Sequence, residues 1–398
     1  MSSLVNSPKQ DSLFSAVSLP AGYRVGEENK TLRDDTRIDL KCGEILDDSG
    51  AMYFLPSIVR LQNKVNPLSS EKHYPETLGL QSFLRQSEKL VFGDEVDGLA
   101  SAQTIGGAGG LSLAAITLKR ILGSSDVIMD DLSWGDHARI FKMAGFNVHT
   151  HNYLTPDREV DLAAIVKSIT TAQKGSLILF QPCAHNPTGI VPDGNNWNEI
   201  LKLCKEQKVF PLFDLAYLGL GRGVHEDLVP IRLAIGMGIE FGVVTSFCKI
   251  FGMYGHRLGT LTLKINDSTA AEKLIEQLKI TVRATYSSPP IYPARIGEML
   301  LNSSEIFENW QSDLQSVREL ITLRRHALDR LLKDRGVDLS LRAQSGVFAW
   351  TGLSREQVRK LSSNHGVVIP SNGRISLGKL LPEQIERVAE AISHVITE

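Results

Sequence analysis

The stretch from Ser246-Phe247-Cys248-Lys249 to Arg257-Leu258-Gly259 gathers the residue types from which an imine-forming site is built. Lys249 sits among small and apolar residues at the end of the β-rich run Gly242-Val243-Val244-Thr245-Ser246-Phe247. Partial desolvation makes a lysine amine give up its proton more readily, and only the neutral amine condenses with a carbonyl. Ser246, three residues before it, and Arg257, eight after it, suit a dianionic phosphate, because a guanidinium binds two oxygens at once. A lysine imine beside a phosphate clamp is what pyridoxal phosphate requires. An ordinary solvated lysine at a strand end fits the same local pattern.

The 398 residues, 42% hydrophobic and 22% charged, suffice for a large core and two domains of the usual soluble kind. A formal net charge of −2 leaves no electrostatic footprint for nucleic acid or an anionic membrane. Cys42, Cys183, Cys204 and Cys248 lack CxxC spacing, which suggests neither a zinc site nor a disulfide framework. The first residues hold no apolar run of the signal-sequence kind, and no window approaches a membrane span. The expectation is a cytoplasmic enzyme with no metal.

The elements that must position these groups can be read in order. The first thirty-odd residues are polar and irregular and read as an N-terminal arm. Arg37 to Gly43 suggests a short strand, and helical spacing of Leu78, Leu80, Phe83, Leu84 and Leu90 predicts a helix from about Glu76 to Phe92. The cluster Gly106-Gly107-Ala108-Gly109-Gly110 opens into the helical run Leu111 to Arg120. Such a turn lets backbone amides approach a phosphate with a helix dipole behind them, although a plain flexible turn explains it equally.

Strands and helices then alternate. Val127 to Asp130 delivers Trp134-Gly135-Asp136-His137 to a loop, and Ser176 to Phe180 is a continuous apolar run, as a doubly covered strand should be. That run ends in Gln181 to Gly189, a helix follows from Asn196 to Gln207, and Val209 to Asp214 leads into Asp214-Leu215-Ala216-Tyr217. This order predicts an α/β domain with a mainly parallel sheet and ligands at the strands' carboxyl ends. Beyond Gly259 the expectation is a strand at Thr260 to Leu263, a helix from Ser268 to Ile280 and a turn-rich break from Arg283 to Pro290. A long helix near Ile306 to Asp334, short strands at Val347 to Trp350 and Arg374 to Leu377, and a closing helix from Pro382 to Ile396 complete the chain. We divide it into an arm with part of a small domain (1–52), a large domain (53–315) and a small α+β domain (316–398).

Three boxes in order, Ala184-His185-Asn186-Pro187-Thr188-Gly189, Asp214-x-Ala216-Tyr217 and Ser246-Phe247-x-Lys249 with Arg257, resemble those of the class I aminotransferases. These are fold type I pyridoxal-phosphate enzymes, and the likeness is greatest to the aspartate/aromatic subgroup, from about Ile38 to the C-terminus. The resemblance implies a large cofactor domain around a mainly parallel, seven-stranded-type sheet covered by helices. It also implies a smaller α+β domain made from the N-terminal segment and the C-terminal third.

The same resemblance assigns roles. Lys249 holds the cofactor and later shuttles a proton. Asp214 pairs with the pyridinium nitrogen, Asn186 and Tyr217 bond the ring's phenolic oxygen, and Trp134 stacks on the ring. Gly106, Gly107 and Ala108, with Ser246 and Arg257, form the phosphate cup. Ala108 stands where a hydroxyl residue is usual, and Cys248 where serine is usual. Tyr74 reaches the neighbouring subunit's phosphate, which implies a homodimer with shared active sites.

For the substrate, Arg374 takes the α-carboxylate, Gly43 forms a lid, and Arg283 meets a distal carboxylate from the other subunit. Glu44 and Ser288 depart from the family where the substrate side chain would lie. The implied activity exchanges an amino group between an amino acid and a 2-oxo acid, with 2-oxoglutarate/glutamate as one couple. Two alternatives are the same chemistry on a cationic amino acid such as arginine, drawn by Glu44, and a pyridoxal-phosphate lyase or decarboxylase. Lys249→Ala should abolish turnover and leave cofactor bound non-covalently if at all, and borohydride reduction followed by mass spectrometry should place the pyridoxyl label on Lys249. A label on another lysine overturns the assignment.

Overall fold

The computed structural model describes residues 37–65, 73–94 and 96–398; the expected N-terminal arm lies outside them. β1 (Ile38–Asp39) is followed by α1 (Pro56–Lys64) and α2 (Gln81–Phe92). β2 (Leu99–Ile105) runs into α3 (Gly106–Ile121), followed by β3 (Asp126–Asp130), α4 (His137–Met143) and β4 (Asn147–His151). Next come α5 (Leu162–Thr170), β5 (Leu177–Phe180), α6 (Gly194–Gln207) and β6 (Phe210–Leu215). α7 (Val224–Asp227) and α8 (Val229–Gly236) lead to β7 (Phe241–Ser246), the single turn α9 (Phe247–Ile250) and β8 (Leu258–Lys264). The helices α10 (Ser268–Thr285), α11 (Ile291–Leu301) and α12 (Ser304–Lys333) follow. The chain closes with β9 (Phe348–Trp350), α13 (Arg355–His365), β10 (Val367–Val368), β11 (Arg374–Ser376) and α14 (Ile385–Thr397).

Seven strands form one sheet in the order β2-β8-β7-β6-β5-β3-β4. β8 is antiparallel to both its neighbours, and the pairs β7–β6, β6–β5, β5–β3 and β3–β4 are parallel. The inner strands are apolar on both faces because both faces are covered. Alternate side chains enter two cores, as the strand period requires. Leu177, Leu179, Leu212 and Val244 pack with Leu111, Leu118 and Leu278 of α3 and α10. Ile178, Phe180, Phe213 and Val243 pack with Trp197, Ile200 and Leu201 of α6. The α/β architecture with a mainly parallel seven-stranded sheet is as expected.

Two small sheets complete residues Ile38–Glu398, which form one compact unit. β1 pairs in parallel with β10, tying Ile38 to Val367, and β9 pairs antiparallel with β11, setting Trp350 opposite Arg374. The expected boundary near residue 315 falls inside the unbroken α12.

Three local expectations differ from the structure. The Gly106 to Gly110 cluster, read as a turn before a helix at Leu111, is itself the start of α3. The first long helix begins at Gln81 rather than Glu76, because Glu76 and Gly79 close a turn (2.8 Å) and the Gln103 side chain takes the Leu80 amide at 3.2 Å. Arg283 stands in the last turn of α10 rather than in a break. The helix continues through Thr285, whose hydroxyl donates to the Thr281 carbonyl (2.8 Å), and it stops at Tyr286, whose hydroxyl donates to the Gln103 carbonyl (2.9 Å).

The turn that carries Lys249 is braced from α12. Fully buried Trp310 donates its indole N–H to the Ile250 carbonyl at 2.7 Å and meets the Phe251 ring edge-on. Trp310→Phe leaves that buried carbonyl without a donor, and should destabilise the protein by about 1–3 kcal/mol. The expected result is a lower urea midpoint at unchanged slope.

Candidate active site

One cavity of about 150 Å³ gathers Gly107, Ala108, Trp134, Asn186, Asp214, Tyr217, Ser246, Lys249 and Arg257. Residues read as cofactor-binding from five separate stretches thus line one cavity. The cause is topological: β6 and β7 are parallel neighbours whose ends hold Asp214 and Ser246, and β2 delivers α3 at the same edge.

Asp214 is buried, and its Oδ2 lies 2.9 Å from Nε2 of His137. A carboxylate only accepts, so Nε2 carries the proton, while Nδ1 faces the Ser133 hydroxyl at 2.7 Å. Oδ1 of Asp214 is buried with no partner. A buried, unpaired carboxylate oxygen is costly and suits an N–H donor on a bound group. Nζ of Lys249 sits 4.2 Å from the centre of the Tyr217 ring.

At the other end of the cavity Arg257 adopts a left-handed backbone (φ 55°), a strained conformation for a side chain of its size. Its Nη1 donates to the Tyr254 carbonyl at 3.0 Å and approaches the Cys248 sulfur at 3.4 Å. Gly106 (φ +67°) is where a Cβ would come within 2.6 Å of the Arg257 guanidinium, so the start of α3 lies directly against it. Backbone amides, a guanidinium and the Ser246 hydroxyl form a cradle for a phosphate. With Asp214 Oδ1 open at one end and Lys249 between, the donor set fits pyridoxal phosphate.

Arg374 stands beside this cavity. Its Nη1 donates to Asn186 Oδ1 at 2.7 Å, Nη2 donates to the Lys41 carbonyl, and Nε is buried without an acceptor. The guanidinium lies 4.1 Å from the Phe348 ring centre. Burial pulls it below its ordinary pKa, with neighbouring Tyr217 and Cys42 acting in the opposite direction. Gly43 fits because a Cβ there would meet the Phe348 ring at 2.9 Å and the Tyr217 hydroxyl at 3.1 Å.

The structure does not bring every expected residue into this cavity. Tyr74 is 92% exposed, and Arg283 is an exposed residue whose Nη1 donates to the Ser287 hydroxyl at 3.0 Å. Neither lines the cavity within one chain. Glu44 is half-buried and within electrostatic reach of Tyr254, which does line the cavity. The Tyr254 phenol is pushed upward mainly by burial, with Tyr217, Glu44 and Cys248 adding to it.

Sequence reasoning missed His137, Gln181, Tyr254 and Phe348 as parts of the site. His137 and Gln181 fall in stretches that the sequence marks as loops, and nothing in their spacing marks their partners.

The pattern of the aminotransferase class I and II family matches residues 35–392. The chain belongs to that family. It is a pyridoxal-phosphate-dependent aminotransferase, exchanging an amino group between an amino acid and a 2-oxo acid. It is 33% identical to the mitochondrial aspartate aminotransferase of Schizosaccharomyces pombe, over 94% of this chain and 88% of that one. It is 32% identical to the aromatic-amino-acid aminotransferase of Escherichia coli K12, over 96% of this chain and 100% of that one. Among solved structures, the aromatic-amino-acid aminotransferase of Burkholderia pseudomallei, covalently bound to pyridoxal phosphate, superposes with a TM-score of 0.91. That match has 28% identity over 96% of this aminotransferase and 99% of the other chain. Among the described residues no helix is long and apolar enough to cross a membrane, and no cluster of His, Cys, Asp and Glu is arranged to hold a metal ion.

Proposed function

We propose that this aminotransferase is of the aspartate/aromatic type, with 2-oxoglutarate/glutamate as one of its couples. The observation that carries the reading is Arg374, a buried guanidinium beside Asn186 with Nε unpaired, suited to a substrate α-carboxylate. The names of the aspartate and aromatic relatives support it.

Pyridoxal phosphate, when bound, supplies a carbonyl for the substrate amine and an electron sink for its α-carbon. In our proposal Lys249 Nζ holds the cofactor, and once displaced carries the proton released at the substrate α-carbon. Asp214 Oδ1 holds the proton of the ring nitrogen, while His137 donates into Oδ2 and fixes the carboxylate plane. Asn186, whose Oδ1 is committed to Arg374, turns its amide N–H toward the ring's phenolic oxygen, and Tyr217 donates to the same oxygen. Trp134 covers the ring face. Ser246, Arg257 and the amides of Gly106 to Ala108 bind the phosphate. Gly43 closes over the substrate.

Two contributions come from a second copy of the chain in this proposal. Tyr74 of the partner subunit reaches the phosphate, and Arg283 of the partner subunit meets the distal carboxylate. Both residues are exposed in the single chain, which suits side chains that serve another subunit's site.

Asp214→Ala removes the counter-charge of the ring nitrogen. Loss of one partner from a buried charge pair typically costs several kcal/mol. Turnover should fall at least about a thousandfold, since each 1.36 kcal/mol is roughly a factor of ten. A variant keeping a third of wild-type activity would mean that the ring nitrogen faces another group.

Substrate choice is tested at Glu44. A carboxylate near the substrate side chain repels a second carboxylate and attracts a cation. Glutamate alone should convert the bound cofactor to its amine form by absorbance. Kinetics on aspartate, tyrosine and arginine with 2-oxoglutarate should show kcat/KM for aspartate rising in Glu44→Gln. Specificity constants unchanged by that substitution remove Glu44 from selection, and wild type preferring arginine overturns the aspartate/aromatic assignment.

A further inference from the structure

Asp130 is a buried carboxylate that none of these roles uses. It ends β3 at the carboxyl edge of the sheet, and its Oδ1 has no hydrogen-bond partner. Oδ2 lies 3.4 Å from Nε2 of His185, a ring that is itself 1% exposed. On the far side of the imidazole, Nδ1 accepts from the Thr188 amide at 3.4 Å and lies 2.8 Å from the Thr188 hydroxyl. An accepting Nδ1 puts the ring proton on Nε2, facing Asp130. Tyr153 stacks on the same imidazole, with 4.1 Å between ring centres and 16° between planes. The ring is thus bonded at Nδ1 and stacked on one face, while Nε2, which has no hydrogen-bond partner, faces Asp130 across 3.4 Å.

His185 immediately precedes Asn186. The Asn186 main chain is paired in both directions with the Gln181 side-chain amide, at 3.0 Å each way. Asp130, His151, Tyr153, Gln181 and His185 share the lining of one small cavity of about 10 Å³. Ala184, on the other side of His185, is left-handed (φ 43°), a conformation that persists only where the surroundings over-determine it. Burial works against a charge on Asp130, but the imidazoles of His185, His137 and His151 outweigh it and hold the carboxyl below its ordinary value. The remaining titratable neighbour, the Tyr153 phenol, is pushed up by burial and by Asp130.

We propose that Asp130, acting through His185, is a positioning residue that fixes the Asn186 amide and so links the cofactor's ring oxygen to Arg374. The proposal rests on the aminotransferase reading of the site, in which the Asn186 amide N–H faces that oxygen. The Asn186 Oδ1 bond to Arg374 sets where the other end of the amide points, and the Asn186 backbone is held by the Gln181 amide on one side and by its chain neighbour His185 on the other. Movement of the ring therefore acts on cofactor and substrate together.

The test uses holoenzyme carrying Asp130→Asn, which keeps the side-chain shape and removes its charge. Donation from Asn186 to the ring oxygen favours the ionised oxygen and lowers the pH midpoint of the cofactor's absorbance change. Loosening that bond should raise the midpoint by about half a unit or more. KM for the amino donor should rise about tenfold, with kcat less affected, as Arg374 loses its fixed acceptor. His185→Gln should give the same shift, and the double variant should be no worse than either single one.

A merely structural carboxylate would lower thermal stability and leave the midpoint in place, which overturns the proposal. A lowered midpoint also overturns it, because that is the effect of removing a negative charge through space alone. Should Asp130→Asn not accumulate as folded holoenzyme, Thr188→Val, which strips the hydroxyl from the opposite side of the imidazole, is read for the same upward shift. Wild type that shows no cofactor titration overturns the aminotransferase reading itself. That failure is distinct from a normal wild-type titration on which the variants superimpose.

Discussion

The parallel pairing of β6 with β7 is the constraint from which the site follows. Its register sets Asp214 opposite Val244 and Leu215 opposite Thr245, so both strands end at one edge of the sheet. Asp214 and the Ser246–Lys249 turn then face one cavity. The pairing holds because alternate residues of each strand fill different cores, one under α3 and α10 and the other under α6. A shift by one residue would exchange those two sets of side chains and move Asp214 out of the site.

Charges buried at that edge are balanced in pairs. Asp214 meets His137, and Asp130 meets His185, with both carboxylates almost fully enclosed. Each carboxylate keeps one oxygen unpartnered. The oxygen of Asp214 belongs to the cofactor cavity, whereas Asp130 stands a layer behind it and faces the loop that holds Asn186. Leaving polar atoms unsatisfied costs stability, and the surrounding aromatic stacking and hydrogen bonds hold them in place.

The surroundings of Arg374 depend on elements far apart in the chain. Arg374 lies on β11, aligned opposite Trp350 of β9, and its guanidinium lies over Phe348 while donating to Asn186 and Lys41. Phe348 also meets Tyr217 edge-on and sets the space that only a glycine at residue 43 can occupy. The cavity wall and Arg374 are therefore one packed assembly. Asn186 belongs to both, lining the cavity and accepting from Arg374.

What the amino-acid sequence determined by itself is local. The Lys249, Asp214 and Asn186 boxes and the alternation of strands with helices depend on neighbouring residues and are legible in the sequence, whereas the glycine cluster, read as a turn, forms the first turn of α3 itself. Failures came where a distant partner decides. Glu76 lies outside α2 because Gln103 captures the Leu80 amide, and Arg283 lies inside α10 because helical bonds continue through Thr285 up to Tyr286. His137 contacts Asp214 from 77 residues away, a distance at which no periodicity speaks. Tertiary structure alone decided which side chains became partners, because desolvation acts on whatever the packed sheet edge encloses and is blind to sequence separation.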